Sequence, residues 1–125
     1  MQTKKPLIAI VDDDESMREA IKGLMRSLGF DAETFSSAED YLGFPLLRST
    51  TCLVTDIHMP GMSGLDLIEL LRSRHFSAPA ILITGDPSPS VRARASKACV
   101  PIVEKPLLGN ALLRKIRDVA GDGRS

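Results

Sequence analysis

Three short apolar runs punctuate the chain: "LIAIV" (7 to 11), "CLVT" (52 to 55) and "AILIT" (80 to 84). Each is rich in β-branched residues and unbroken by charge, the pattern of a strand covered on both faces. "DAETF" (31 to 35) and "PIVEK" (101 to 105) read as two further strands. Between the strands the apolar period lengthens. Met17, Ile21, Leu24 and Leu28 recur at i, i+4, i+7 and i+11, and Gly29 follows as a stop, which predicts an amphipathic first helix. A shorter helix is expected to begin after Ser36 or Ser37, with Ala38, Tyr41 and Leu42 facing inward, before Pro45 interrupts. Leu65, Ile68 and Leu71, with Leu67 alongside, mark a third helix, and Leu112, Ile116 and Val119 mark a last one. The weakest pattern is "PSPSVRARASKA" (87 to 98), where two prolines suit a helix entrance and the apolar face is only Val91, Ala95 and Ala98. Strands alternating with helices through short connections predict an α/β fold: a five-stranded parallel sheet, doubly wound, with helices on both faces.

A chain of 125 residues is the size of one domain. The core is expected over about 6–119, with 120–125 as a tail or a linker stub leading to another domain. Sixteen basic and sixteen acidic residues cancel, so no overall field favours direct nucleic-acid binding. Cys52 and Cys99 lack metal-type spacing and read as fillers of core or sub-surface space rather than as a disulfide or zinc site. The apolar runs are shorter than the roughly 18 residues a membrane span needs, and "MQTKKP" does not lead into a signal sequence. No membrane association and a cytoplasmic location are therefore expected.

Chemistry gathers at the carboxyl ends of the strands: Asp12 and Asp13 after the first, Asp56 after the third, Thr84 on the fourth and Lys105 on the fifth. In open parallel sheets this edge is where ligands bind. Carboxylates brought together there repel one another and call for a cation. Oxygen-only ligands with room for water suit Mg²⁺ better than zinc. A lysine and a hydroxyl beside them suit a phosphoryl group whose charge spreads during transfer. A carboxylate can itself be the nucleophile, giving an aspartyl phosphate, and Asp56 is the candidate because its strand is expected to be central and a turn to expose it. Simpler readings exist for the parts: "DDDE" (12 to 15) suits a helix amino-terminus, which accounts for Asp14 and Glu15, and a lone strand-end Thr or Lys is usually structural. The conjunction at four strand ends argues for a site.

These residues resemble the receiver domain of two-component response regulators, which has a chemotaxis-type, flavodoxin-like (βα)5 fold. "IVDDDES" (10 to 16) is similar to the family's acidic pair and "VTDIHMPGMSGLDL" (54 to 67) to its phosphoacceptor loop. "ILITGD" (81 to 86) is similar to its hydroxyl strand and "VEKPL" (103 to 107) to its Lys-Pro motif. "SAEDYL" (37 to 42) and "MSG" resemble most the FixJ-type branch, whose receivers commonly precede a helix-turn-helix output domain. The resemblance implies that a histidine kinase or histidine phosphotransfer protein phosphorylates Asp56. Asp13, Asp56 and the backbone carbonyl of His58 would bind Mg²⁺, with Asp12 helping through water. Thr84 and Lys105 would each engage a phosphoryl oxygen, and the Lys105-Pro106 bond would be cis. The His58 side chain, with Asp86, would border the phosphoryl path rather than act as acid or base. The implied protein is a switch and not a turnover enzyme, acting on an output partner or on an output domain since removed; whether it forms a homodimer stays open.

Smaller assignments follow from the residues. Pro60, Gly61 and Gly64 shape the turn and Ser63 caps the third helix. Met59 and Met62 pack at that loop, and His75 is a surface residue. The chain departs from the family where an aromatic residue usually precedes "VEKP": that position is Ile102. Ala98 stands where relatives often have glycine, and Pro101 cannot donate a backbone hydrogen bond. The fourth helix and fifth strand are therefore expected to form an atypical output face. Three rivals follow: a receiver-like interaction module that acts without phosphorylation, a Mg²⁺-dependent phosphohydrolase, and a flavin- or nucleotide-binding relative. The phosphohydrolase expects a second acid where His58 stands, and the last expects a phosphate loop after the first strand.

Overall fold

The structure is a computed structural model that describes residues 5–105 and 111–120. Strands β1 (Leu7–Val11), β2 (Asp31–Phe35), β3 (Cys52–Asp56), β4 (Ala80–Thr84) and β5 (Ile102–Glu104) form one parallel sheet in the order β2-β1-β3-β4-β5. Helices α1 (Glu15–Ser27), α2 (Ala38–Leu42), α3 (Gly64–Ser73), α4 (Pro89–Lys97) and α5 (Ala111–Ala120) fill the connections, and a 3₁₀ turn at Leu47–Ser49 leads into β3. This is the doubly wound arrangement that the strand and helix patterns predict.

Alternation along the strands splits the core in two. Ile8 and Ile10 of β1, Val54 of β3 and Ile81 and Ile83 of β4 point to the side covered by Ile21 and Met25 of α1 and Ile116 of α5. Ala9, Val11, Leu53 and Leu82 point to the other, where α2, α3 and α4 supply Tyr41, Leu65, Ile68 and Ala95. The reversal of strand order about β1 and β3 puts the helices that follow them on opposite faces. It opens a crevice at their carboxyl ends.

Several local expectations change. Leu24 is 43% exposed, and Met25 takes its place in the core at 0%. A step of four along a helix overshoots a full turn by about 40°, whereas a step of three falls short by about 60°, so Met25 lies nearer the direction of Ile21. Helix α2 starts after Ser37, whose hydroxyl accepts from the Asp40 N–H. In α4, Ser88 caps and Pro89 takes the first position; only Ala95 is buried, with Val91 and Ala98 packed against the core's edge. β5 is shorter than expected: Pro101 precedes it, and its carbonyl still accepts the Leu82 N–H at 3.0 Å. An edge strand tolerates proline there because no N–H is demanded of it.

The left-handed backbone position after α4 falls on Cys99 (φ 58), while Ala98 keeps an ordinary right-handed conformation. Cys99 is also exposed, contrary to its reading as a filler, whereas Cys52 is buried and burial pushes its thiol up to about 12. Pro106 and the side chain of Val119 lie outside the described residues, as does the tail from residue 121 on; α5 itself continues through Ala120.

Candidate functional site

β1 ends inside the sheet, so the residues that follow it emerge at the crevice. Asp12 is 1% exposed and Asp13 is exposed. Asp14 turns the chain into α1, its carboxylate accepting the N–H groups of Ser16 and Met17, which is the capping role expected of it. The Asp14 N–H in turn donates to Asp12 Oδ1 at 2.9 Å, and Arg18 Nη1 donates to the Asp12 carbonyl at 2.8 Å.

Asp56 is the last residue of β3, flanked by β1 and β4. It is 6% exposed, so the turn after it does not expose it as the sequence suggested. Its Oδ1 accepts the His58 N–H at 3.3 Å and its Oδ2 accepts from Lys105 Nζ at 2.9 Å. Lys105 Nζ also lies 3.4 Å from Asp12 Oδ2, a buried oxygen that has no aligned hydrogen-bond donor among the described residues. One carboxylate oxygen from each of Asp12, Asp13 and Asp56 falls within a 4.8 Å span. An oxygen-only set with an unsatisfied buried oxygen fits a hard divalent cation.

Electrostatics follow from burial. Desolvation pushes the Asp12 carboxyl above its ordinary 3.8, against the Asp14 N–H bond that lowers it, and the charge of Asp56 adds to the rise. Burial alone would pull the Lys105 ammonium down, but the hydrogen bond to Asp56 and the charges of Asp12 and Asp56 together hold it above 10.5. Thr84 is fully buried at the end of β4; its hydroxyl accepts the Asp86 N–H at 3.2 Å, and its carbonyl accepts the Lys105 N–H at 2.8 Å. The five side chains singled out in the sequence therefore meet at one edge, Lys105 reaching across β4 to β3.

The loop after β3 is tied down at both ends. Ser63 caps α3 through a reciprocal capping box with Asp66. Gly64 matters for space rather than for turn conformation: a Cβ there would overlap the carbonyl oxygen of Asp56. Met59 and Met62 are partly buried against the core, and His58 is exposed. Sequence reasoning missed Glu39 of α2, whose Oε2 accepts the Met62 N–H at 3.1 Å. The two stand 23 positions apart, across a loop, a 3₁₀ turn and a strand, so no helical or strand period announces the contact.

The family model described as the response regulator receiver domain matches residues 8–117. The chain belongs to this family. Receivers are phosphoacceptor signalling domains of two-component systems, their standard role is phosphorylation-dependent switching, and they bind Mg²⁺ at an acidic pocket. The response regulator protein TodT of Pseudomonas putida is 36% identical over 118 residues, covering 94% of this chain and 52% of TodT. The transcriptional regulatory protein FixJ of Azorhizobium caulinodans is 35% identical over 121 residues, covering 94% of this chain and 56% of FixJ. The solved FixJ-N structure superposes with a TM-score of 0.79 at 31% identity, over 100% of this chain and 98% of that one. The resemblance to the FixJ-type branch holds, and the chain spans about half the length of the curated relatives it matches.

Within this receiver, Ile102 is half-buried and packs at the edge of the core cluster under α4. Across the same surface, Arg92 of α4 pairs with Glu104 of β5 at 2.9 Å, and Arg94 pairs with Asp66 and Glu69 of α3 at 3.1 and 2.7 Å. The fourth helix thus carries exposed charge pairs to α3 and β5 beside its one buried side chain, Ala95. Among the described residues no helix is long and apolar enough to cross a membrane.

Proposed function

We propose that this receiver accepts a phosphoryl group on Asp56 from a histidine kinase or histidine phosphotransfer protein, in a Mg²⁺-dependent reaction in the cytoplasm. The observation that supports this best is the convergence of Lys105 Nζ on Asp56 Oδ2 (2.9 Å) and Asp12 Oδ2 (3.4 Å) beside the three clustered carboxylates. Asp13, Asp56 and the His58 carbonyl would hold the cation, with Asp12 acting through water. When bound, the ion neutralises the carboxylates and the charge that develops on the phosphoryl oxygens.

An Asp56 carboxylate oxygen forms a bond to phosphorus as the bond from phosphorus to the donor nitrogen breaks; the donor ring keeps the electron pair and takes up a proton. Lys105 exchanges its contact with Asp56 Oδ2 for one with a phosphoryl oxygen. Thr84 uses its hydroxyl hydrogen for another, since its oxygen already serves the Asp86 N–H. The His58 N–H steadies the remaining Asp56 oxygen. The chain acts as one receiver unit with its core at about 6–119, and it passes the change to an output domain or partner through α4 and β5.

Intact mass after incubation with Mg²⁺ and acetyl phosphate tests the assignment. Wild type gains one phosphoryl group only when Mg²⁺ is present, and Asp56→Asn gains none. Ile102, in place of the aromatic residue typical of the family, favours a second reading, an interaction module that binds partners without phosphorylation. Folded, Mg²⁺-binding protein that gains no mass would place that reading first.

A further inference from the structure

Helix α2 is short but firmly seated. Ala38 and Tyr41 are fully buried, and Tyr41 hydrogen-bonds Thr50 at 2.8 Å. Ser37 caps the helix, and Ser36 donates to Asp40 at 2.9 Å. Glu39, on the exposed side of this anchored turn, reaches out of α2 to the loop after Asp56. Its Oε2 accepts the Met62 N–H at 3.1 Å. The same oxygen lies 2.8 Å from the point a Cβ would occupy on Gly61, whose φ of 79 also disfavours a side chain. Two features of the loop, a free N–H and a missing side chain, thus accommodate one carboxylate.

Three other donors at this loop are satisfied locally. The His58 N–H goes to Asp56, the Ser63 N–H to Asp66 within the capping box, and the Gly64 N–H to Ile57. Among the described residues, Glu39 is the hydrogen-bond partner that reaches the loop from outside β3 and α3. Without it the middle of the loop, residues 59 to 62, would be held between Ile57 and Gly64 by the packing of Met59 and Met62 on the core, and could shift there. A charge-assisted bond from a separate element opposes that motion.

We propose that Glu39 is a positioning residue for the phosphoacceptor site: it braces residues 58–63 so that the Asp56 carboxylate and the His58 carbonyl are held for the cation and the incoming phosphoryl group. This rests on the function proposed above and assigns no contact between Glu39 and the phosphoryl group itself. The effect works through the loop backbone and requires an acceptor oxygen at the Glu39 position, so glutamine, which retains one, substitutes for glutamate while alanine does not.

The test compares wild type, Glu39→Gln and Glu39→Ala. Three measurements are made: amide exchange at Met62 by NMR, Mg²⁺ affinity by titration, and the rate of mass gain from acetyl phosphate. Glu39→Ala is expected to speed Met62 exchange and to weaken Mg²⁺ binding, each by about fivefold, the scale of one exposed charge-assisted hydrogen bond. Its mass gain slows in proportion, and Glu39→Gln stays within about twofold of wild type in all three. Glu39 is exposed, so all three proteins should melt within a few degrees of one another, which separates bracing from a general loss of stability. Wild-type Met62 exchange and Mg²⁺ affinity in Glu39→Ala would overturn the proposal, and so would a Glu39→Gln protein as impaired as Glu39→Ala. If wild type itself gains no phosphoryl group, the functional reading fails on its own, and Met62 exchange still decides whether the brace exists.

Discussion

Lys105, the residue just past β5, and Asp56, the last residue of β3, come from strands that do not touch, yet their side chains meet at 2.9 Å across the end of β4. The ion pair is mostly sheltered: Asp56 is 8% exposed and Lys105 22% in their side chains. Removing the cation strands two carboxylates, Asp56 and the still deeper Asp12, without their common partner.

Lys105→Met is therefore expected to lower the stability of Mg²⁺-free protein at neutral pH by about 1 to 3 kcal/mol, less than for a fully buried pair because Lys105 retains some solvent. Mg²⁺ affinity should move the other way, strengthening by about threefold, because the ammonium no longer opposes the incoming cation. Urea unfolding and calorimetric titration measure the two. A variant that loses stability and Mg²⁺ affinity together would mean that Lys105 organises the acidic cluster rather than competing for it.

A second expectation concerns space beside the nucleophile. Gly64 packs its backbone so closely on the carbonyl of Asp56 that an added methyl has nowhere to go unless β3 or α3 moves. Gly64→Ala should cost about 1 to 3 kcal/mol and slow phosphorylation by displacing Asp56. Gly23→Ala is the matched control, because a Cβ at Gly23 meets nothing within 4 Å. That substitution should be neutral or stabilising by up to about 1 kcal/mol in the exposed face of α1.

The sequence showed the site well because its members are strand ends. A β-branched run followed by Asp or Lys is a local pattern, and parallel pairing brings local patterns to a shared edge, as happened for Asp12, Asp56, Thr84 and Lys105. Contacts made by loops were not legible. Nothing local links Glu39 to Met62, and Gly64 read as a turn residue because close approach to Asp56 is a property of the folded backbone. Leu24 and Met25 are adjacent apolar residues, and the helical step from Ile21 separates them by only about 20° in favour of Met25, a margin that an apolar count at i, i+4, i+7 and i+11 does not register. The exposure expected for Asp56 failed for a related reason: the turn closes through the Gly64 N–H on the Ile57 carbonyl, and Gly64 packs against the Asp56 backbone.

The end of α4 offers a test of backbone placement. Cys99 adopts the left-handed conformation (φ 58) one residue later than the glycine of the family pattern would stand, and Ala98 is right-handed. Relief of that conformation should make Cys99→Gly stabilising by about 1 kcal/mol, whereas Ala98→Gly adds unfolded-state freedom without relief and should cost about 0.5 to 1 kcal/mol. Thermal melts of the two variants suffice. The opposite ranking would put the left-handed residue at 98 and shift the whole connection into β5.

Helix α4 gives the last prediction, because it buries one side chain, Ala95, and leans on Arg94 for its contact with α3. All three partners of that contact are roughly half exposed in their side chains, at 44%, 55% and 49% for Arg94, Asp66 and Glu69, so Arg94→Ala should cost below about 1 kcal/mol, and less at high salt. Its pH dependence has a definite sign. Hydrogen bonds from Arg94 and then Ser63 hold the Asp66 carboxyl below its ordinary 3.8, so this stabilisation is complete above 3.8 and disappears as pH falls through the lowered value. The gap between wild type and Arg94→Ala should therefore be constant from neutral pH down to the ordinary carboxylate range and close in more acidic solution. In low salt at neutral pH, amide exchange in α4 should quicken in Arg94→Ala while β1 keeps its protection. A helix equally protected in both proteins would mean that Ala95 and the half-buried Val91 and Ala98 hold α4 by themselves, and that the charges on this face are free to serve a partner.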